Sequence, residues 1–99
     1  MNKEQIKKTV EKDNVVLFMK GTRDFPQCGF SKRVITILEK LEVKYQEYDV
    51  LANPDLRESI KEFSNWPTIP QLYVNGEFIG GSDIVYDMYR LSLIHISEP

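Results

Sequence analysis

Val15-Val16-Leu17-Phe18-Met19 is a continuous apolar run, bounded by Asp13-Asn14 before it and Lys20-Gly21 after it. Five apolar residues with no polar alternation predict a strand buried on both faces. Gly21 to Gln27 then reads as a loop, and from Gly29 to Leu41 the period changes. Phe30, Val34, Ile37, Leu38 and Leu41 fall on one helical stripe. A buried strand, a short loop and an amphipathic helix form the start of a β-α-β unit. Its second strand is expected over Val43 to Val50, where Val43, Tyr45, Tyr48 and Val50 carry the apolar character. A right-handed crossover makes the two strands parallel.

The elements on either side fit around this unit. Residues 3 to 12, with Ile6 and Val10 spaced i, i+4, predict a short amphipathic helix. Asn53-Pro54 opens another, with Asn53 or Asp55 as its N-cap and Leu56, Ile60 and Phe63 as its buried stripe. Pro67 and Pro70 break the chain. Gln71 to Val74 and Glu77 to Ile79, joined by Asn75-Gly76, form a hairpin with the strongest two-residue turn signal. Gly80-Gly81 follows, and Ser82 is expected to cap a last helix that buries Ile84, Val85 and Met88. The order α-β-α-β-α-β-β-α predicts an α/β domain, a four-stranded mixed sheet flanked by helices.

Composition narrows what such a domain does. The chain has 99 residues, enough for one domain, with 41% hydrophobic and 28% charged residues. The net charge of −2 removes the electrostatic case for nucleic-acid binding. No apolar run approaches the roughly 20 residues of a membrane span. The first 15 residues lack an apolar stretch, contain no Arg and hold three acidic side chains, unlike a signal or transit peptide. A single cysteine, Cys28, precludes a disulfide within the chain and suits a reducing compartment, so a cytoplasmic location is expected.

Cys28 lies between the loop and the helix. Unpaired N–H groups and the positive end of the dipole at a helix start stabilise a thiolate, making it a better nucleophile and metal ligand. Lys20 can add positive charge. A dithiol redox motif would place a second cysteine three positions on, where this chain has Ser31. Cys28 therefore cannot resolve its own mixed disulfide and must borrow a thiol, most naturally from glutathione.

Cys28-Gly29-Phe30-Ser31 resembles the signature of the monothiol glutaredoxins. The resemblance extends to Lys20-Gly21-Thr22 and Pro26, to Trp66-Pro67-Thr68-Ile69-Pro70-Gln71, and to Asn75 to Gly81 with Asp83-Ile84-Val85, covering roughly residues 3 to 90. It implies a thioredoxin fold in which Pro70 follows a cis peptide bond and faces the cysteine. It implies glutathione binding by Lys20, Arg57, Lys61, Thr68, Ile69, Ser82 and Asp83. The chemistry of these residues agrees: Arg57 and Lys61 are i, i+4 on one helix and can both reach a carboxylate. The Ile69 backbone can pair with a peptide like an added strand, and Asp83 at a helix N-terminus suits the γ-glutamyl end.

The resemblance also implies a [2Fe–2S] cluster. Four ligands are needed, normally thiolates. Two copies of Cys28 and two glutathione thiols complete the set in a cluster-bridged homodimer, with BolA-like proteins and apo iron–sulfur recipients as partners. The rival expectation is a glutathione-dependent oxidoreductase, at most a weak one, since Thr22 to Pro26 is longer here than in dithiol relatives. Two features depart from the pattern. Ser82 stands where the family usually has a second cysteine. Residues 91–99 do not continue the family's terminal helix; they resemble translated vector sequence and are set apart as a non-native tail to a 1–90 domain. His95, the lone histidine, falls in that tail.

Overall fold

The computed structural model describes residues 1–91; His95 and the rest of the expected tail beyond Leu91 lie outside them. In chain order the elements are α1 (Lys3–Lys12), β1 (Val15–Met19), α2 (Gly29–Lys40), β2 (Gln46–Asp49), α3 (Pro54–Ser64), β3 (Gln71–Val74), β4 (Glu77–Gly80) and α4 (Ser82–Arg90). The sheet order is β2-β1-β3-β4. β1 pairs with β2 in parallel and with β3 antiparallel, and β3 pairs antiparallel with β4. This is the thioredoxin fold.

The uninterrupted apolar run of β1 is explained by its central place. Val15, Leu17 and Met19 face one core with Val34, Ile37 and Leu38 of α2 and Val85 of α4. Val16 and Phe18 face the other, with Ile6 and Val10 of α1 and Leu56 and Ile60 of α3. A strand with helices on both faces has no side left for polar residues. Asn53 caps α3, its side chain accepting from the Leu56 N–H at 3.2 Å. Asn75 and Gly76 both take positive φ, 52° and 82°, as a tight hairpin turn with matching twist requires.

Four expectations are corrected. β2 begins at Gln46, not Val43, because the chain first closes α2: Glu42 takes φ 56° and the Val43 N–H turns back to the Leu38 carbonyl at 3.2 Å. Phe30 shares the α2 stripe but sits in its first turn, at the cleft, and is 59% exposed. Gly81, not Ser82, is the N-cap of α4; its carbonyl takes the first helical bond from the Val85 N–H at 3.0 Å. Ser82 becomes the first helical residue and turns inward, while Ile84, expected to be buried, is 41% exposed.

Candidate functional site

Three chain segments converge at one end of the sheet: the β1–α2 loop, the segment before β3, and the start of α4. The β1–α2 loop is tied in place along its length. Gly21 takes φ 89°, and its N–H donates to Asp49 Oδ1 at 2.9 Å, which also accepts from the Leu51 N–H at 2.8 Å. A Cβ on Gly21 would collide with the Phe25 carbonyl and come within 2.8 Å of the Gln27 nitrogen. Thr22 and Phe25 exchange backbone hydrogen bonds, and the Gln27 N–H returns to the Lys20 carbonyl at 2.9 Å. Arg23 fastens the loop to the edge strand. Its Nε lies 2.6 Å from Glu47 Oε1, its Nη2 donates to the Tyr45 carbonyl at 2.9 Å, and its guanidinium stacks 4.2 Å from the Tyr45 ring centroid.

This loop delivers Cys28 to the N-cap position of α2, where its carbonyl accepts from the Lys32 N–H at 3.0 Å. The thiol is free and half-buried. Desolvation pushes its pKa up. The backbone N–H groups of Ser31 and Phe30, the Lys20 charge and the Ser31 hydroxyl outweigh it, so the thiol lies below the ordinary range. Ser31 is fully buried, and its Oγ accepts from the Lys20 N–H at 3.1 Å. The residue in place of a resolving thiol thus joins the end of β1 to the reactive group.

Beside the thiol lies a cleft of about 360 Å³. All seven residues expected to bind glutathione line it: Lys20, Arg57, Lys61, Thr68, Ile69, Ser82 and Asp83. Cys28 itself stands at its margin; the lining residues Lys20 and Phe30 adjoin it. Arg57 and Lys61 project from the same face of α3. Thr68 and Ile69 precede the cis Ile69–Pro70 bond expected at this position. Gly81 lets α4 approach the cis-proline segment closely, since a Cβ there would come within 3.2 Å of the Pro70 carbonyl. Asp83, at the start of α4, lies 3.6 Å from Arg33 of α2, whose guanidinium sits 3.8 Å from the Tyr86 ring centroid.

Two polar atoms in this cleft have no partner. Arg57 Nε and Ser82 Oγ are both buried without a hydrogen bond, although buried polar groups are almost always paired. Sequence reasoning placed both residues but could not show this vacancy of partners. It assigned no role to Trp66, Pro67 or Ile84, which also line the cleft. The signal for Trp66 was its place at the head of the Trp66-Pro67-Thr68-Ile69-Pro70-Gln71 block, which carries the resemblance without giving Trp66 a role.

Fold and site define a thioredoxin-fold domain with one activated thiol at a helix N-terminus and no second thiol in reach. Residues 15–79 match the family model described as Glutaredoxin. The chain is 59% identical over 83 residues to the chloroplastic monothiol glutaredoxin-S7 of Oryza sativa, covering 84% of this chain and 49% of that protein. It is 53% identical over 88 residues to the ycf64-like monothiol glutaredoxin of Synechocystis sp., covering 89% and 82%. Among solved structures, reduced apo poplar GrxS14 superposes with a TM-score of 0.80 at 49% identity, over 92% of this chain and 84% of that one. A monomeric truncated mutant of Trypanosoma brucei 1-C-Grx1 gives 0.84 at 47% identity, over 93% and 84%. This chain belongs to the glutaredoxin family, in its monothiol branch. It spans about half the length of the rice relative.

Proposed function

We propose that the cleft binds glutathione and that two copies of the chain, each with its glutathione, carry a [2Fe–2S] cluster between them as cargo. The observation that carries the first part is the pair of unpartnered polar atoms, Arg57 Nε and Ser82 Oγ, in one cleft beside an activated thiol. Glutathione offers two carboxylates and one ammonium. One carboxylate suits the Arg57–Lys61 face, where a guanidinium gives charge-assisted bonds. The γ-glutamyl carboxylate suits the α4 N-terminus and the Ser82 hydroxyl, and its ammonium suits Asp83. The Ile69 backbone pairs with the peptide as an added strand. Asp83 then exchanges its long contact with Arg33 for the ligand's ammonium.

Ligand arithmetic supports the second part. Among the described residues no cluster of three or more His, Cys, Asp or Glu side chains is placed to hold a metal ion. Cys28 is the chain's single thiol. The residues present therefore fit as one ligand of four, with glutathione and a second copy supplying the rest. A set half made of exchangeable small molecules suits a carrier. Partners in this reading are apo iron–sulfur recipients and a BolA-like protein. The cytoplasm, kept reducing, is the proposed setting for a lone free thiol. Anaerobic reconstitution with iron, sulfide and glutathione tests it, read by visible absorption and by mass in solution. A coloured dimer that needs both glutathione and Cys28 is expected; a colourless monomer under all conditions overturns it.

The lowered pKa of Cys28 favours a second reading, a monothiol deglutathionylase. The Cys28 thiolate attacks the glutathione sulfur of a mixed disulfide, a Cys28–glutathione disulfide forms, and the client thiolate leaves. A second glutathione thiolate then attacks that bond, releasing Cys28 and oxidised glutathione. Robust turnover in a glutathione-coupled mixed-disulfide assay would favour this reading over a carrier alone.

A further inference from the structure

Gln71 is the first residue of β3, follows Pro70 directly, and is fully buried. A buried amide is costly unless its hydrogen-bonding groups are used. Here both ends are. Nε2 donates to the Trp66 and Thr68 carbonyls, each at 3.2 Å, and Oε1 accepts from the Tyr73 hydroxyl at 3.2 Å. The amide orientation is forced, because two carbonyls can face only the NH₂ end. The same segment is held from the other side: the Trp66 N–H reaches Ser64 Oγ at 3.1 Å and the Lys61 carbonyl at 3.2 Å. Trp66 to Thr68 is therefore pinned between the end of α3, which presents Arg57 and Lys61, and the first residue of the central hairpin.

We infer that Gln71 is a positioning residue for the cleft: its amide fixes the Trp66–Thr68 wall and thereby sets affinity for the ligand that pairs with Thr68 and Ile69. The inference rests on the proposed glutathione site for the identity of that ligand, but not for the anchoring itself. Gln71 touches no ligand. It acts by holding two carbonyls inward, so that the backbone edge and the Trp66 indole face the cleft. Preorganisation of this kind raises affinity by removing the ordering cost from the binding step.

The test compares Gln71→Met with Tyr73→Phe. Methionine keeps the volume and removes both donors to the loop. Phenylalanine removes the Tyr73 hydroxyl yet leaves both amide bonds to the loop intact. Glutathione is titrated against each protein by Trp66 fluorescence, thermal unfolding is recorded, and acrylamide quenching of Trp66 is measured without glutathione. Gln71→Met is expected to bind glutathione about three- to tenfold more weakly, the equivalent of one lost hydrogen bond or so. Its indole should be quenched more readily than in the wild type, with the Cys28 alkylation rate unchanged. Tyr73→Phe should bind within about twofold of the wild type. Equal binding and equal quenching in Gln71→Met overturn the inference. So does weakening that tracks thermal stability alike in both variants. If the wild type binds no glutathione, the functional reading fails, and quenching alone then decides whether Gln71 anchors the wall.

Discussion

The two sides of the cleft differ in how complete they are. On the thiol side the groups around Cys28 are supplied by the chain itself. The backbone N–H groups of Ser31 and Phe30, the Lys20 charge and the Ser31 hydroxyl favour the Cys28 thiolate; Ser31 is tied to Lys20; and the loop before them is fastened to β2 by Arg23 and Asp49. On the opposite side the backbone wall is anchored by Gln71, but two buried polar side-chain atoms, Arg57 Nε and Ser82 Oγ, have no partner. The thiol is thus prepared in advance by the chain itself, whereas the binding side is finished only when something polar enters. That division makes reactivity and recognition separable by mutation.

Cys28→Ser gives the largest effect. It should abolish alkylation by iodoacetamide altogether while leaving glutathione affinity within about threefold, because the thiol adds at most one weak contact to the binding side. Loss of both together would show that the two sides are not separable. Arg57→Ala comes next, in the reverse sense. Removing a buried charge-assisted partner costs about 1.5–3 kcal/mol, or roughly 10- to 100-fold in glutathione affinity by calorimetry. The alkylation rate should not change.

Ser31→Ala sharpens the comparison through pH. The Cys28 pKa lies below its ordinary value, so the thiolate persists to lower pH than in a free thiol. Reactivity is full above the unfolded thiol pKa and falls as pH drops through the folded one. The same group contributes stability above the unfolded pKa and loses it over that fall. Removing the Ser31 hydroxyl should move the midpoint of the alkylation–pH profile upward, and the glutathione affinity of the cleft should be little affected. A midpoint that stays in place would assign the shift to the backbone and Lys20 alone.

Arg23→Ala gives the smallest effect. Its ion pair with Glu47 is partly exposed, worth about 0.2–1 kcal/mol and weakened by salt. Faster amide exchange is expected in the Gly21–Gln27 loop, more so at low salt where the wild-type pair is strongest. The Trp66–Thr68 segment, anchored by the buried Gln71 amide, should show no such salt dependence.

What could be read from the sequence was whatever one element decides alone. The apolar run of β1, the Asn53 cap, the Asn75-Gly76 turn and the loop-to-helix place of Cys28 each carry a local signal. The misreadings occur where two elements compete for a residue. The closing turn of α2 takes Val43 away from β2. The close approach of α4 to Pro70 makes Gly81 the cap and sends Ser82 inward. Phe30 keeps helical spacing but stands exposed in the first turn of α2, at the cleft. Gln71 was legible as a strand start and a motif residue but not as an anchor; that role comes from carbonyls that the cis-proline segment folds back over it. The seven expected cleft residues line one cleft, five of them in the three converging segments and Arg57 and Lys61 from α3.

The central claim is that glutathione completes the open side of this cleft. A titration with glutathione, followed by nitrogen-15 NMR of the backbone and of the Arg57 Nε–H, tests it most directly. The account predicts saturable shifts at Arg57 Nε, Lys61, Thr68, Ile69, Ser82 and Asp83, with α1 unmoved. No shift at Arg57 Nε and Ser82, or shifts centred elsewhere, would contradict it.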